Sequence, residues 1–394
     1  MLSRRFSLEA GRAVLVAGPA VAQILRGRLE CLGKELYEGE RVVVREGKEL
    51  PLEALSNAEL EVNVTRGANC RLIGSGESLG TRIWDSAISN IVSHSESCRD
   101  CVITALGPVS TGKSTFLCYV ANRLLDKKEK ELVIIDADIG QNDLGPPCSL
   151  ALAKVDRQVT DLRELKPTMF DFVGYFSAGL NPHYVAQRVI GFVSRLKRDR
   201  ARERLILLNT DGFVEGEGLV TKLWLLKGTG THLAVFTDNG VASKALQLGL
   251  APNKFIVIAR PDINVRSRLI RANRRLLQYL KFLQGARPRR LHLSDTRLAF
   301  LGRSCRVVDF EPHARSYLLS LSSNEVLVPA IAMDHMFVAL ARNDEVQGFG
   351  VIKQYRRDGE MVVLTPTSGP VNTIFLSLVR LPRLGAEEAL RLAT

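Results

Sequence analysis

The run Gly107-Pro108-Val109-Ser110-Thr111-Gly112-Lys113-Ser114-Thr115 fits G-x-x-x-x-G-K-[ST], the spacing of a loop that wraps phosphates. Gly107 and Gly112 allow sharp turns that bring backbone N–H groups against phosphate oxygens, and a helix opening after them adds the partial positive charge of its N-terminus. Lys113 is the residue to reach the β- and γ-phosphates, and the Ser114 hydroxyl the one to complete a Mg2+ shell. A second run, Val133-Ile134-Ile135-Asp136-Ala137-Asp138-Ile139-Gly140-Gln141, ends an apolar strand in two carboxylates. Residues two apart on an extended chain point the same way, so Asp136 and Asp138 share one face, suited to Mg2+ or its water shell. Together these stretches imply binding of a nucleoside triphosphate with Mg2+, and ATP is the expected nucleotide. Asn253-Lys254-Phe255-Ile256 lacks the aspartate of a guanine-reading N-K-x-D pattern, so nothing supports GTP.

A phosphate loop needs a strand before it and a helix after it, and both are legible. Cys101–Leu106 reads as a strand and Thr115–Leu125 as a helix. Further strand candidates are Leu132–Asp136, Leu205–Asn209, Leu233–Thr237 and Lys254–Ala259, with helices near 114–127, 181–198, 241–249 and 265–284. Near-continuous apolar strands alternating with helices imply a parallel sheet covered on both faces. Residues 1–78 instead hold brief β-rich runs, such as Ala13–Ala17, Arg41–Arg45 and Leu60–Val64, separated by turn signals at Gly18-Pro19 and Glu38-Gly39. From about 289 to 394 the chain returns to short β-type runs, among them Arg306–Phe310, Phe337–Leu340, Val346–Ile352 and Met361–Leu364. The expected fold class is therefore α/β: a P-loop domain over 79–288, flanked by a small N-terminal β domain and a mostly β C-terminal domain.

Composition narrows the setting. With 394 residues, 46% hydrophobic and 24% charged, the chain is ordinary globular material long enough for two or three domains. Its 54 basic against 42 acidic residues, a net charge of +12, suit a polyanionic partner. Seven scattered cysteines do not make a disulfide scaffold and fit a reducing, cytoplasmic compartment. No run approaches the ~18 apolar residues of a membrane span. Arg4-Arg5 ahead of an apolar run ending Ala20-Val21-Ala22 superficially suggests a secretory leader, but Gly18-Pro19 breaks that run and Glu9 and Arg12 precede it. Cys98-Arg99-Asp100-Cys101 is a C-x-x-C without a second Cys or His pair, and His183 and His232 have no partner at ligand spacing. We expect no metal site from them. The basic run Arg195–Arg204 reads as a solvated helix end.

Beyond the loop, four stretches resemble one family. Asp138-Ile139-Gly140-Gln141 with Gly145-Pro146-Pro147, Tyr175–Ser177 with Asn181-Pro182-His183-Tyr184, Asn209-Thr210-Asp211-Gly212-Phe213-Val214-Glu215-Gly216, and N-terminal Gly18-Pro19-Ala20 with Gly27 and Glu38-Gly39-Glu40 are similar to the polynucleotide 5′-hydroxyl kinases of the Clp/Grc type. The resemblance covers most of residues 10–285. It implies that the D-x-G-Q aspartate, Asp138, takes the proton of the 5′-hydroxyl and lies near Mg2+, with Asp136 a weaker candidate and Gln141 beside them. It implies a clasp for the triphosphate and the substrate end at Thr210, Gly212 and Phe213, where the family's T-x-G-W has tryptophan. Phenylalanine keeps an aromatic face for stacking on a base and loses the indole N–H. Tyr184 would line the RNA groove, packing being the equal alternative.

The family also carries an arginine-bearing lid helix. Residues 260–290 hold ten basic residues (Arg260, Arg266, Arg268, Arg271, Arg274, Arg275, Lys281, Arg287, Arg289, Arg290) and one acid, Asp262. On a helical wheel Leu269, Leu276, Leu280 and Leu283 form an apolar stripe, with Arg268, Arg271 and Arg275 in a neighbouring arc. Like charges at i,i+4 weaken a helix, so a one-sign face implies a polyanion. The family's R-x-x-R or R-x-x-x-R pattern can be laid on Arg271 with either Arg274 or Arg275, and Arg271 and Arg275 are the pair taken here as catalytic. The expected activity is transfer of the γ-phosphate of ATP to the 5′-hydroxyl of RNA, with DNA a second candidate, in RNA processing or repair. The alternatives are a P-loop ATPase or small-molecule kinase, and a non-catalytic ATP-binding subunit of an RNA-processing complex. Protein partners are not indicated.

Overall fold

The computed structural model describes residues 2–65, 67–73, 84–96, 98–126, 130–259, 267–309, 318–321, 325–383 and 386–393. Arg260, Asp262, Arg266, Phe310 and the expected boundary near 78 lie outside the described residues. The chain forms two compact units: Met1–Ile135, Ala153–Lys166 and Val193–Arg271 make the first, and Asp136–Leu152, Pro167–Phe192 and Ala272–Thr394 the second.

In the first unit the N-terminal β domain consists of two antiparallel sheets. One orders the strands Leu2–Leu8, Ala58–Val64, Ala20–Arg26 and Arg41–Val44; the other orders Lys34–Leu36, Leu29–Cys31, Glu49–Ala54, Ala13–Ala17 and Asn69–Leu72. Alternation is clear along them: Ala20, Ala22 and Ile24, like Leu60, Val62 and Val64, are buried while their neighbours reach solvent.

The parallel sheet of this unit centres on Asp100–Leu106, which pairs in parallel with Arg204–Thr210 on one side and Leu233–Phe236 on the other. Leu233–Phe236 continues in parallel to Phe255–Val257. Residues of these central strands are buried without alternation, as expected when both faces are covered. The helices Asp85–Glu96, Lys113–Leu124, Glu217–Thr229 and Asn239–Gln247 supply the covering. Lys113–Leu124 carries Phe116, Leu117, Val120, Ala121 and Leu124 at helical spacing, all buried. Its far end is tied to the N-terminal domain: the Asn122 amide donates to the Leu32 carbonyl at 2.8 Å, and Arg123 pairs with Glu30 at 3.1 Å. Asp161, 1% exposed in its side chain, takes Lys48 at 2.8 Å and Arg45 at 3.1 Å.

The second unit is dominated by a ten-stranded mixed sheet that includes Arg287–His292, Glu360–Thr365, Glu345–Tyr355 and Phe337–Arg342 in sequence along one half. Against it pack the strand Pro167–Phe172 and the C-terminal part of the helix Arg268–Leu283. Phe349, 1% exposed, is ringed by Phe170 at 5.1 Å, Phe282 at 5.7 Å, Phe337 at 5.8 Å and Phe172 at 6.2 Å between centroids. Phe170 and Phe282 meet it edge-to-face, Phe337 is stacked on it and Phe172 is tilted; aromatic pairs add about 0.5–1.5 kcal/mol each beyond area burial.

The expected architecture is present: a P-loop domain with a parallel sheet, an N-terminal β domain and a mostly β C-terminal domain. Within residues 79–288 three of the described strands and α-helices had no signal in the reading of the sequence. Ser149–Lys154 and Pro167–Phe172 are short strands, and the helix Glu217–Thr229 has buried Thr221, Lys222 and Thr229 among its leucines, so its polar residues mark no outward face. The leucine stripe expected on the basic helix is corrected at its first residue: Leu269 is 71% exposed, while Leu276, Leu280 and Leu283 are half-buried, Leu283 against the aromatic cluster. The buried positions of the helix are Arg274, Gln278 and Tyr279, so hydrogen bonds and an aromatic ring hold that face together with the leucines.

Truncating Phe349 to alanine removes the ring on which four others converge. The expected loss is about 3–5 kcal/mol of unfolding free energy, read from urea denaturation of Phe349→Ala against the parent.

Candidate active site

The strand Asp100–Leu106 delivers the chain to Gly107, which sits at φ +150°. A Cβ there would lie 2.0 Å from the Thr237 hydroxyl oxygen, so only glycine fits. Thr237 follows the neighbouring strand and bonds the Thr111 hydroxyl at 2.6 Å; Thr111 in turn donates to the Pro108 carbonyl at 2.9 Å. The loop is thus pinned from below by two threonines. Ser110 lies at φ +60° and Gly112 at φ +89°, the left-handed conformation that ends the loop and starts the helix Lys113–Leu124. No side chain caps that helix, which leaves its first N–H groups to an anion. Lys113 is buried and its ammonium donates to the carbonyls of Gly107 and Pro108, both at 2.8 Å, curling over its own loop. The Asn209 amide donates to the Ser114 hydroxyl oxygen at 3.2 Å. Thr115, Val109 and Pro108 complete the expected stretch, with Val109 46% exposed.

The expected clasp residues lie beside this loop in the same unit. Thr210 ends the strand Arg204–Thr210, is 1% exposed, and donates its hydroxyl to the Ala105 carbonyl at 2.8 Å. Gly212 passes so close to the loop that a Cβ on it would stand 2.5 Å from the Val109 amide nitrogen. Asp211, missed in the sequence, sets the turn: one carboxylate oxygen accepts the Phe213 amide at 2.9 Å, and the other pairs with buried Lys222 of the helix Glu217–Thr229. Phe213 is half-buried and lies against Gly218.

In the second unit the D-x-G-Q turn is organised by its own carboxylates. Asp136 is fully buried and accepts the Asp138 amide at 3.1 Å on one oxygen and the Asp143 amide at 2.7 Å on the other. Asp138 is half-buried, and its Oδ1 accepts the amides of Gly140 at 3.1 Å and Gln141 at 3.0 Å. Gln141 donates to the Gly140 carbonyl at 2.7 Å. Asp136 therefore staples the turn, while Asp138 is the more accessible carboxylate.

Two residues of the basic helix hold the following Asn-Asp-Leu-Gly segment. Arg274 pairs with Asp143 at 2.8 Å, both nearly inaccessible, and the Gln278 amide donates to the carbonyls of Asn142, Asp143 and Gly145 at 2.9, 3.2 and 3.0 Å. Their i,i+4 spacing was the available signal. Arg275 points elsewhere: it pairs with Glu387 at 2.8 Å and lies 4.5 Å over the Phe176 ring. Arg271 is half-buried on the preceding turn. Tyr184 opens the helix Pro182–Arg198 where Asn181 accepts its amide at 2.9 Å; burial pushes its phenol pKa up.

Comparison with known proteins agrees with this geometry. The family model described as "mRNA cleavage and polyadenylation factor CLP1 P-loop" matches residues 107–285. Those residues, less than half of the chain, are similar to a CLP1-type P-loop domain. The chain is 32% identical over 120 residues to a polyribonucleotide 5′-hydroxyl-kinase of Pyrococcus furiosus, covering 30% of this chain and 33% of that one. It is 34% identical over 132 residues to the enzyme of the same name in Pyrococcus abyssi, covering 33% and 36%. The matches span about a third of the relatives' length. A solved Clp1p–Pcf11p complex shares the fold at TM-score 0.72, with 12% identity and coverage of 100% of this chain and 99% of the other. The loop at 107–115 fits a triphosphate, since positive-φ glycines and an uncapped helix start form the cradle. The hard oxygen donors Ser114 and Asp138 are the type Mg2+ takes.

Replacing Gly212 by alanine forces the clasp turn off Val109 or the loop out of shape. Nucleotide affinity of Gly212→Ala, measured by calorimetric titration, is expected to fall about tenfold or more, ~1.4 kcal/mol, with the thermal midpoint near the parent's.

Proposed function

We propose that this chain is an ATP-dependent polynucleotide kinase that transfers the γ-phosphoryl group to the 5′-hydroxyl end of RNA. The observation that carries the reading is the combination of a complete CLP1-type phosphate loop with a D-x-G-Q turn whose Asp138 is accessible. The names of the archaeal relatives support it. In the proposed mechanism the amides of residues 107–115 and Lys113 hold the triphosphate, and Lys113 leaves the Gly107 and Pro108 carbonyls to do so. Ser114 and Asp138 would hold Mg2+, which when bound would neutralise charge on the phosphate oxygens. Asp138 accepts the proton of the attacking hydroxyl. Asp136 keeps the turn in shape, and Gln141 orients groups beside it. Thr210, Gly212 and Phe213 form the clasp, where Phe213 offers its ring to a nucleotide base, and Tyr184 lies along the RNA path. Arg271 and Arg275 balance charge on the transferring group. For Arg275 this requires exchange of Glu387 for phosphate. Most of the acceleration comes from positioning and charge neutralisation.

The test is incubation with γ-labelled ATP, Mg2+ and oligonucleotides of RNA and DNA bearing 5′-hydroxyl ends. Label at the RNA 5′ end supports the reading; release of phosphate with unlabelled RNA selects an ATPase, and ATP binding without turnover selects a non-catalytic subunit. DNA in a parallel arm reports whether the sugar is discriminated.

Two variants divide the roles. Lys113→Ala is expected to abolish transfer while leaving the unfolding curve unchanged, because its ammonium contacts loop carbonyls and not the apolar core. Asp138→Asn keeps an amide-accepting oxygen for Gly140 and Gln141 but cannot take the proton. It is expected to retain ATP affinity and lose about 10²–10⁴-fold in kcat. A larger loss in Asp136→Asn with an intact fold would exchange the two assignments.

A further inference from the structure

The first unit holds a side-chain cluster at the other end of its parallel sheet. Cys98 lies in the link between the helix Asp85–Glu96 and the strand Asp100–Leu106, and Cys101 is the second residue of that strand. His232 immediately precedes the neighbouring strand Leu233–Phe236. Its backbone amide donates to the Val102 carbonyl at 2.8 Å, and the Val102 amide donates to its Nδ1 at 3.1 Å. The two sulfurs and an imidazole nitrogen all lie within 4.8 Å of one another. His232 is therefore the partner that the lone C-x-x-C lacked in the sequence, 131 positions beyond Cys101 but one strand away in the sheet.

We propose that Cys98, Cys101 and His232 bind a thiophilic divalent cation, with Zn2+ the best-fitting ion and a water molecule from solvent as fourth ligand. Zinc takes thiolate and imidazole ligands at about 2.3 and 2.0–2.1 Å in a tetrahedron, which sets the ligand atoms roughly 3.5–3.8 Å apart. Side-chain rotations of about an ångström bring the present cluster to that spacing. Cys101 is buried, while Cys98 and His232 are half-buried and leave one side open to solvent. Burial and the neighbouring Cys98 push the Cys101 thiol pKa up, and the nearby cations Lys130 and Lys197 oppose that shift. Burial pushes the imidazole pKa of His232 down, with Lys197 adding to it. The Lys130 ammonium donates to the Cys98 carbonyl, placing a cation beside the thiolates. Both thiols now donate to the His94 carbonyl, Cys98 at 3.1 Å and Cys101 at 3.6 Å. Binding exchanges those two protons for the ion, with no change of oxidation state. It also displaces the Val102 amide from the ring: ligation through Nδ1 occupies that lone pair, and ligation through Nε2 moves the ring proton to Nδ1. The ion would tie together the starts of two strands whose other ends carry Gly107 and Thr237, six residues or roughly 20 Å along. Its effect is on the stability of the sheet and not on the phosphoryl transfer.

The full chain, reduced with a phosphine and freed of metal by chelation, is titrated with Co2+ and then Zn2+. One equivalent of Co2+ per chain is expected, with thiolate-to-cobalt charge transfer and tetrahedral d–d absorption that Zn2+ displaces, and zinc is expected to raise the thermal midpoint. Cys98→Ser and His232→Ala, each checked for a parent-like circular dichroism spectrum, are expected to lose the charge-transfer band and the zinc-dependent shift. Absence of the band in the parent overturns the proposal, as does binding left unchanged by both variants.

Discussion

A six-residue turn between a buried strand and a helix governs the first unit. From Leu106 to Lys113 the backbone takes positive φ at Gly107, Ser110 and Gly112, conformations that cost about 1 kcal/mol or more wherever a side chain is present. Neighbouring groups hold the turn in place. Thr237 closes the space beneath Gly107, Thr111 ties Thr237 to the Pro108 carbonyl, and Gly212 lies against Val109. The strand order has a purpose at this level. Arg204–Thr210 and Leu233–Phe236 flank Asp100–Leu106 in parallel, so their C-terminal ends bring Thr210 and Thr237 to the loop. A triphosphate then meets amides already oriented, with little reorganisation left for the bound state.

The second unit solves a similar problem with side chains. The turn after Asp136 is polar and tight, and its amides and carbonyls need partners. Asp136 and Asp138 accept four amides between them, Asn142 accepts those of Leu144 and Gly145, and Gln278 satisfies three carbonyls from the basic helix. The buried Arg274–Asp143 pair is the costly part of this arrangement, because two charges leave water; such pairs are seldom net stabilisers, and removing one member costs about 3–5 kcal/mol. Its value is in fixing where the turn lies. The helix that the sequence marks as a basic face thus spends one arginine on architecture and another, Arg275, on Glu387 and the Phe176 ring.

Local features were legible in the sequence because they depend on spacing. The G-x-x-x-x-G-K-[ST] run, the apolar strands 101–106 and 205–209 and the helix after the loop all follow from neighbours within a few residues. What could not be seen depends on contacts across the chain. Residues 167–172 form a strand that packs with aromatic residues at 282, 337 and 349, and nothing in Pro167–Phe172 alone announces that. The wheel placed Leu269 inward because it weighed hydrophobicity, whereas the buried face of that helix was chosen by hydrogen bonding of Arg274 and Gln278. His232 had no partner at short spacing because Cys101 stands on the adjacent parallel strand and Cys98 just before it, a relation that pairing alone reveals.

The central claim is that a phosphoryl group held by the Gly107–Thr115 loop moves intact to a 5′-hydroxyl. Mass spectrometry of an RNA oligonucleotide after reaction with ATP carrying oxygen-18 in the three terminal γ-oxygens tests it most directly. The account predicts one added phosphoryl group at the 5′ end with all three labelled oxygens retained. Unmodified RNA alongside labelled inorganic phosphate would contradict it.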